Sequence, residues 1–352
     1  MLQIEKKKCF IALGQFLSQF SLHDTQKNKT VLFNDLFYDD FVQLIEISQS
    51  HNGWFTPEQV YHAIQSWAHA LTEPNLDQWL SKYEWTNVEP KTVGLILAGN
   101  IPLVGFHDFL SVLISGHKVL VKTSSNDQYL IKFLAKYLIS MYPEFENYIT
   151  FTEGKLENFD AVIATGSNNT ARYFEYYFKE KPSIIRKNRN SVAVLNGGET
   201  HEELQALGED IFRYFGLGCR NVSKLFVPKE YDFQPFFKAI FSFGEHIHYE
   251  KYANNYDYNK AVFLMSNFKL LDNEFLILKE DKSYASPIAS LFYEYYENLD
   301  EVQKQLEQDA DQIQCVVSKN LIPHSIPFGK TQQPELWEYA DGVDTIDFLI
   351  KL

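Results

Sequence analysis

The sequence predicts an α/β protein with a doubly wound parallel sheet, preceded by a helical segment. From about residue 91 onward, short apolar runs alternate with stretches of helical periodicity, which is typical of βαβ units with right-handed crossovers. The runs are apolar at consecutive positions, as expected for strands that are buried on both faces. The 352 residues suffice for two lobes, because a single hydrophobic core stops growing at about 250–300 residues.

Residues 1–90 are predicted to be helical and to pack on the first α/β lobe. Five apolar side chains recur at helical spacing and share one face: Phe10, Leu13, Phe16, Leu17 and Phe20. Farther along, Thr56 is a candidate N-cap with Pro57 at the first helical position. These two signals predict at least two helices before the first strand.

Residues 91–188 are predicted to form the first α/β lobe. The apolar runs predict strands at residues 93–98, 118–122, 148–152 and 161–164. Helical patterns follow the first two runs, one ending at Gly116 as its C′ residue and the other spanning about 127–142. This order of elements is that of a Rossmann-like domain.

Residues 189–320 are predicted to form a second α/β lobe, with the boundary between the lobes near residues 185–190. Its predicted elements are a strand at 191–195, a helix opened by the capping box of Thr200 and Glu203, a glycine turn at 216–219 and a strand at 224–227. Residues 321–352 form a C-terminal segment that we expect to return to the active-site cleft or to an oligomer interface.

Charge and cysteine content narrow the classes of partner and compartment. The 32 basic and 46 acidic residues give a net charge of −14, which disfavours nucleic acids and anionic lipid surfaces as partners. The three cysteines, Cys9, Cys219 and Cys315, are too few and too far apart for a disulfide framework. Gln15 and Gln19 interrupt the only stretch that resembles a signal peptide, and no run of about 18 apolar residues predicts a membrane span. We therefore expect a cytoplasmic protein.

Cys219 is the candidate nucleophile. It lies on a turn between a predicted helix and a predicted strand, where Gly216 and Gly218 permit positive φ and a close approach of the backbone. Such a turn can direct backbone N–H groups at the sulfur and at an oxyanion, and the neighbouring Arg220 favours the thiolate. The alternative is a buried structural cysteine, which describes most lone cysteines.

Polar residues follow three of the predicted strands in the first lobe. Asn100 ends the first strand and is a candidate oxyanion donor, although a turn asparagine is an equally good interpretation. Lys122, Ser124 and Ser125 follow the second strand at the carboxyl edge of the sheet, where they suit a ribose or phosphate unless they form a solvated loop. Gly166-Ser167 opens a helix, and a helix N-terminus binds pyrophosphate readily.

Taken in order, these segments resemble the aldehyde dehydrogenase superfamily, and within it the LuxC-type fatty acyl-CoA reductases. The matched motifs are Gly99-Asn100-Ile101-Pro102 for the oxyanion asparagine, Lys122-Thr123-Ser124-Ser125 for a cofactor-binding Lys-Pro-Ser-Glu, Gly166-Ser167 for the pyrophosphate-binding Gly-Ser, and Gly216-Leu217-Gly218-Cys219 for the nucleophile turn. Pro327-Phe328-Gly329 and Asp341-Gly342-Val343-Asp344 resemble the closing motifs of the acyl-CoA reductases. The likeness extends over about residues 91–352, and its strength lies in the collinear order of the motifs.

The resemblance implies an aldehyde-dehydrogenase-like fold, in which residues 91–188 bind NADP and residues 189–320 form the catalytic domain. It also implies NADPH-dependent reduction of an acyl-CoA or acyl-carrier-protein thioester to an aldehyde, through an acyl-cysteine on Cys219 with Asn100 as oxyanion donor. Lys122, Ser124, Ser125, Gly166 and Ser167 would bind the cofactor, and no metal is implied. Expected partners are the acyl carrier, an acyl-protein synthetase subunit and further copies of the chain.

Three departures from the superfamily pattern affect the chemistry. Residues 186–190 contain no carboxylate where the hydrolytic members carry a glutamate that activates water, so hydrolysis of an acyl-enzyme should be slow. Ser125 replaces a glutamate that would repel the 2′-phosphate of NADPH, which favours NADPH over NADH. Ser283 stands where a glutamate binds the nicotinamide ribose.

Alternative interpretations remain at this point. Within the same fold, the chain could be a non-acylating aldehyde dehydrogenase or an acyl-phosphate reductase; outside enzymology, it could be a degenerate acyl-binding or scaffold protein. His246 and His248 would lie on one face of a strand and form a metal site, but no further ligand cluster supports one. Gly329-Lys330-Thr331 lacks the upstream glycine of a P-loop, because His324 occupies that position.

Overall fold

The computed structural model describes residues 3–85 and 89–352. The chain divides into two compact units. The first contains the described residues up to Lys187 together with Glu335–Leu352, and the second is Asn188–Pro334. Each unit is built on its own mainly parallel sheet, in agreement with the predicted α/β fold class.

The first unit contains a five-stranded, wholly parallel sheet. Its strands are β1 (Thr92–Ile96), β2 (Lys118–Lys122), β3 (Ile149–Phe151), β4 (Ala161–Thr165) and β5 (Ser183–Arg186), in the order β3-β2-β1-β4-β5. The connecting helices are α5 (Phe106–Ile114), α6 (Tyr129–Met141) and α7 (Asn168–Tyr177), and a short 3-10 helix spans Pro143–Asn147. The chain winds outward from β1 to β3 and then crosses to β4, so the carboxyl ends of β1 and β4 flank a topological switch point, where open α/β sheets bind ligands.

Among the described residues before the sheet, 3–85 and 89–91, four helices are present, two of which the sequence signals predict: α1 (Gln3–Leu17), α2 (Asn34–His51), α3 (Pro57–Ala70) and α4 (Glu73–Leu80). The face predicted for the first helix is buried and packs on α6, where the ring of Phe16 stacks on that of Tyr137 at 4.5 Å between centroids. Thr56 occupies the N-cap of α3 with Pro57 after it, but its side chain makes no capping hydrogen bond.

The second unit contains a six-stranded sheet in the order β11-β6-β7-β10-β9-β8, in which only the edge pair β8–β9 is antiparallel. The strands are β6 (Asn190–Val194), β7 (Val222–Pro228), β8 (Leu270–Asp272), β9 (Ile277–Glu280), β10 (Ser290–Tyr296) and β11 (Ile313–Ser318). The helices are α8 (His201–Phe212), α9 (Gln234–Ala239), α10 (Glu250–Met265) and α11 (Leu299–Gln308). The predicted capping box of Thr200 and Glu203 is present at the start of α8.

The C-terminal residues belong to the first unit. Long-range side-chain hydrogen bonds hold helix α12 (Thr345–Ile350) and the segment before it. Trp79 Nε1 donates to Tyr339 Oη at 2.7 Å, and Tyr83 Oη donates to Asp344 at 2.8 Å. Buried Arg186 donates to Thr345 Oγ1 at 3.0 Å and also pairs with Asp108. The sequence groups residues 321–352 as one segment, whereas the structure divides them after Pro334.

One strand was not predicted, and one local expectation is wrong. Strand β5 was not predicted, because Ser183–Arg186 is only four residues long and has two apolar positions. The residues His246 and His248 lie in a 3-10 helix, Phe241–His248, and not on a strand. His246 Nδ1 bonds to the Phe243 carbonyl at 2.9 Å, and its ring packs against Phe212 and Phe215. Over residues 3–85 and 89–352, no three His, Cys, Asp or Glu side chains cluster as a metal site would require.

In the same two ranges, none of the helices combines the length and the apolar character needed to cross a membrane.

Candidate active site

Cys219 lies in a tight turn between α8 and β7, as predicted from its flanking glycines. A 3-10 helix, Arg213–Gly216, connects α8 to this turn, and three consecutive residues there adopt positive φ: Tyr214 (53°), Phe215 (56°) and Gly216 (76°). Two of the three are not glycines, so the surrounding structure must hold this backbone in an unfavourable conformation. The backbone strain therefore lies directly before residues 217–221, which form the turn at Cys219.

The exposure of Cys219 distinguishes it from the other two cysteines. Cys219 is exposed, whereas Cys9 and Cys315 are both buried. Burial, assisted by Glu5, raises the pKa of the Cys9 thiol to about 11, so that thiol is a poor nucleophile near neutral pH. Exposure of Cys219 is incompatible with the interpretation of this residue as a buried structural cysteine.

Asn221 forms two hydrogen bonds with Gly218 across the turn that contains Cys219. Its backbone N–H donates to the Gly218 carbonyl at 3.0 Å, and its side-chain Oδ1 accepts the Gly218 N–H at 2.8 Å. Ser191 Oγ, on the neighbouring strand β6, donates to the Cys219 carbonyl at 2.9 Å. The Gly218 N–H is therefore already bonded, which removes it from the possible donors to an oxyanion.

Asn100 lies in the first unit, exposed, just beyond the end of β1. Two buried side chains form hydrogen bonds with the loop that carries Asn100. Asn52 Nδ2 donates to the Gly99 carbonyl at 3.3 Å, and Asp127 Oδ2 accepts the N–H of Leu103, which has a φ of 57°, at 2.9 Å. Burial raises the pKa of Asp127 to about 7, although the Leu103 N–H opposes that change. The loop at Asn100 thus has a fixed conformation.

Glycine is required at position 99 by close packing. A Cβ there would lie 2.6 Å from Ser124 Oγ and 3.1 Å from the Asp127 backbone nitrogen. The loop after β1 and the loop after β2 therefore touch, which brings Asn100 to the same edge of the sheet as Ser124.

The five predicted cofactor-binding residues, Lys122, Ser124, Ser125, Gly166 and Ser167, lie at the carboxyl ends of β2 and β4. Strand β1 pairs with both of these strands in parallel, so the two loops share one edge of the sheet. Ser167 is the N-cap of α7, and its Oγ accepts the Thr170 N–H at 3.3 Å. A Cβ on Gly166 would lie 3.0 Å from the Thr170 side chain, so the loop packs tightly on α7.

A phosphate-bearing dinucleotide fits this edge. Within the part of the chain that the structure describes, the N–H groups of Asn168 and Asn169 at the start of α7 and the ammonium of Lys122 have no hydrogen-bond or ion-pair partner. Unpaired N–H groups at a helix N-terminus, supported by the helix dipole, bind anions such as pyrophosphate. The exposed Ser125 follows Lys122 by three residues and is available to a ribose hydroxyl.

The structure brings six of the seven predicted site residues to one edge of the first unit's sheet, and the seventh, Cys219, belongs to the second unit. Sequence reasoning missed the buried residues that hold the loops at Asn100 and Cys219, namely Asn52 and Asp127 in the first unit and Asn221 in the second. For Asp127 and Asn221 the signal was proximity in sequence, because Asp127 follows Ser125 and Asn221 follows Cys219 by two residues, whereas Asn52 has no such signal.

Comparisons with known proteins find a matching family and a similar protein. The family model described as "Acyl-CoA reductase (LuxC)" matches residues 40–240, more than half of the chain. A long-chain acyl-protein thioester reductase of Aliivibrio fischeri is 25% identical in an alignment of 126 residues that covers 32% of this chain and 26% of that protein.

Solved structures with a similar fold are aldehyde dehydrogenases. Aldehyde dehydrogenase 21 of Physcomitrella patens superposes with a TM-score of 0.64 at 12% identity, covering 90% of this chain and 73% of that one. An NAD-dependent aldehyde dehydrogenase of Sinorhizobium meliloti gives a TM-score of 0.63 at 13% identity, covering 90% and 70%. At these identities the likeness establishes the fold alone, and it confirms the predicted fold class.

Proposed function

This chain belongs to the LuxC family of acyl-CoA reductases, and we propose that it reduces an acyl thioester to the aldehyde through an acyl-cysteine formed on Cys219, with NADPH as reductant. The observation that carries the proposal is the exposed thiol of Cys219 on a strained and pinned turn. The anion-binding edge of the first unit, at Lys122 and the start of α7, supports the choice of a dinucleotide cofactor.

In the acylation step, the Cys219 thiolate attacks the carbonyl carbon of the thioester, a C–S bond forms, and the carbonyl oxygen takes the negative charge. A backbone N–H of the turn donates a hydrogen bond to that oxygen, and the family resemblance assigns Asn100 the role of side-chain donor. The carbonyl re-forms as the carrier's sulfur departs as a thiolate, which takes up a proton from solvent. The product is an acyl-cysteine and a free carrier thiol.

In the reduction step, Cys219 is the leaving group instead of the nucleophile. Lys122, Ser124, Ser125 and Gly166-Ser167 would hold the cofactor, which would supply the hydride that reduces the acyl group. The same oxyanion donors would stabilise the carbonyl oxygen as it becomes negative. When the carbonyl re-forms, Cys219 leaves as a thiolate and the aldehyde is released, so the free enzyme is regenerated.

The substrate we propose is a fatty acyl-CoA or the acyl group of a carrier protein. The similar protein of Aliivibrio fischeri is named for acyl-protein thioesters, so an acyl-protein synthetase subunit is the corresponding candidate partner. The decisive assay is NADPH oxidation by the purified chain with a panel of acyl-CoA and acyl-carrier-protein thioesters. Aldehyde formed in a one-to-one ratio with NADPH oxidised is expected. Activity only with an acyl phosphate, or only with an aldehyde and NADP⁺, would instead assign one of the two alternative reactions on this fold.

Cofactor preference provides a further prediction. Ser125→Glu is expected to weaken NADPH binding far more than NADH binding, because a carboxylate at this exposed position would repel the 2′-phosphate. One such contact is worth roughly 1–3 kcal/mol at intermediate dielectric, or about 5- to 150-fold in the ratio of dissociation constants. Fluorescence titration with each cofactor measures the ratio.

The matched control for this variant is Ser125→Gln, which has the same size and no charge and should leave the ratio within about twofold of the wild type. Equal weakening of NADH and NADPH by the glutamate would show that the adenosine ribose lies elsewhere.

A further inference from the structure

A closed ring of hydrogen bonds surrounds the nucleophile turn within the second unit, and Asn221 is its first member. Asn221 is 3% exposed, and both ends of its amide are bonded. Oδ1 accepts the Gly218 N–H at 2.8 Å, while Nδ2 donates to the carbonyls of Arg213 at 2.8 Å and Asp210 at 3.1 Å. The amide therefore links the end of α8 to the turn that contains Cys219.

Asp210 is the second member of the ring. It is fully buried on α8, and its carboxylate accepts three hydrogen bonds from a segment more than one hundred residues away along the chain. Gly329 N–H donates to Oδ2 at 2.7 Å, and Thr331 donates to Oδ1 through its N–H at 3.0 Å and its hydroxyl at 2.8 Å. Burial raises the pKa of Asp210 to about 6, although all three donors oppose that change.

Thr331 closes the ring at the nucleophile's neighbour. Its side chain is fully buried, and its carbonyl accepts a hydrogen bond from Nε of Arg220, the residue after Cys219. The hydrogen bonds thus link Gly218 to Asn221, Asp210, Thr331 and Arg220 in turn. The backbone of Cys219, between Gly218 and Arg220, closes the ring.

We propose that Asn221, Asp210 and Thr331 are positioning residues that fix the Cys219 sulfur and the Arg220 guanidinium for attack on the thioester. This inference rests on the proposed function for its substrate, but its geometry does not depend on which thioester is used. The strained backbone at Tyr214 and Phe215 supports it, because such a turn keeps its shape only where several bonds over-determine it.

Loss of the ring should affect the chemical steps more than substrate binding. A misplacement of about 1 Å in a reacting group can lower the rate about 10²-fold. We therefore expect Asn221→Ala to lower kcat about 10²-fold with little change in KM. The backbone N–H groups and Arg220, which favour the thiolate, also lose their fixed orientation. The pH midpoint for alkylation of Cys219 by iodoacetamide should therefore rise by about half a unit or more.

Thr331 provides a second and milder test that does not leave a cavity in the turn. Thr331→Val keeps the shape of the side chain and removes its hydroxyl donor, whereas Thr331→Ser retains the donor. We expect the valine variant to lose about tenfold in kcat and the serine variant to recover most of it, a difference of about 1.4 kcal/mol for the hydrogen bond to the carboxylate.

Asn34→Ala is the matched control for a purely structural effect. Asn34 is also a buried asparagine, 4% exposed, with both ends of its amide bonded, but it is the first residue of α2 in the first unit. This variant should lower the urea midpoint of unfolding while leaving kcat per folded enzyme and the alkylation midpoint unchanged.

The experiment measures kcat, KM, the alkylation midpoint and the urea midpoint for all five proteins, namely the wild type, Asn221→Ala, Thr331→Val, Thr331→Ser and Asn34→Ala. The inference is supported if the alkylation midpoint rises in Asn221→Ala and Thr331→Val and stays at the wild-type value in Thr331→Ser and Asn34→Ala. This result supports it even if the wild type reduces none of the thioesters tested. Wild-type kcat and alkylation midpoint in folded Thr331→Val would overturn it, whatever the stability of the Asn221 variant. Failure of the proposed function is seen separately, as an inactive wild type.

Discussion

Replacing the nucleophile by serine, Cys219→Ser, is expected to leave the fold intact and to abolish acylation and reduction together. The expected loss in kcat is on the order of 10⁴-fold or more, as follows removal of the nucleophile in covalent catalysis. A serine hydroxyl does not ionise near neutral pH without a base, and an ester would be a poorer acyl donor than a thioester. The side chain at this position is exposed, so the substitution should change the urea midpoint little.

The other two cysteines provide controls within the same chain. Cys9→Ser and Cys315→Ser should keep both activities per folded molecule, although both side chains are buried and the proteins should be somewhat less stable. Labelling with a radioactive acyl-CoA, followed by hydroxylamine treatment, identifies the bond that holds the acyl group. Label retained by Cys219→Ser as a thioester would assign the nucleophile to another cysteine.

The second large effect concerns the lifetime of the acyl-enzyme in water. A positioned general base typically accelerates attack by water about 10²- to 10⁴-fold. Residues 186–190 contain no carboxylate, and Arg186 itself is buried and paired with Asp108. Asp108 is 3% exposed, so it does not provide a base to solvent either. We therefore expect the acyl-cysteine to persist for many turnover times in buffer alone.

This lifetime is measured by acylating the enzyme without cofactor, removing excess substrate and following the label. Addition of coenzyme A should regenerate acyl-CoA, because thiol exchange needs no base to activate water. If free fatty acid is released rapidly in buffer alone, another residue supplies the base, and the chain is then a thioesterase or a dehydrogenase.

Most of the fold was predictable because local patterns and the final structure agree. Buried strands such as β1 and β4 are mostly continuous apolar runs, and helix starts such as that at Thr200 carry their own hydrogen-bonding signal. Strand β5 escaped prediction because Ser183–Arg186 is defined by its pairing with β4 and not by its own composition. His246 and His248 were assigned to a strand because two histidines at alternate positions would share one strand face. The structure places them in a 3-10 helix, where the ring of His246 packs against Phe212 and Phe215, and the alternation gives no sign of this packing.

The candidate site was predictable where a short motif specifies a turn, and not where distant residues hold that turn. Gly216 and Gly218 indicate the turn at Cys219 directly. The carboxylate of Asp210, by contrast, bonds to Thr331 at a separation of 121 residues, and no local pattern encodes such a contact. The same is true of Asn52, whose amide bonds to the carbonyl of Gly99 before the oxyanion candidate Asn100.

The most direct measurement is a single turnover of isolated acyl-enzyme with NADPH that carries deuterium at both C4 positions. The acyl group is first loaded on Cys219 from acyl-CoA, free substrate is removed, and the product is identified by mass spectrometry. We predict a fatty aldehyde containing one deuterium for each acyl group released, with the thiol of Cys219 becoming free to react with iodoacetamide at the same rate. Release of the acyl group as free acid without deuterium, or its retention on the protein in the presence of NADPH, would contradict the assignment of this chain as an acyl-thioester reductase.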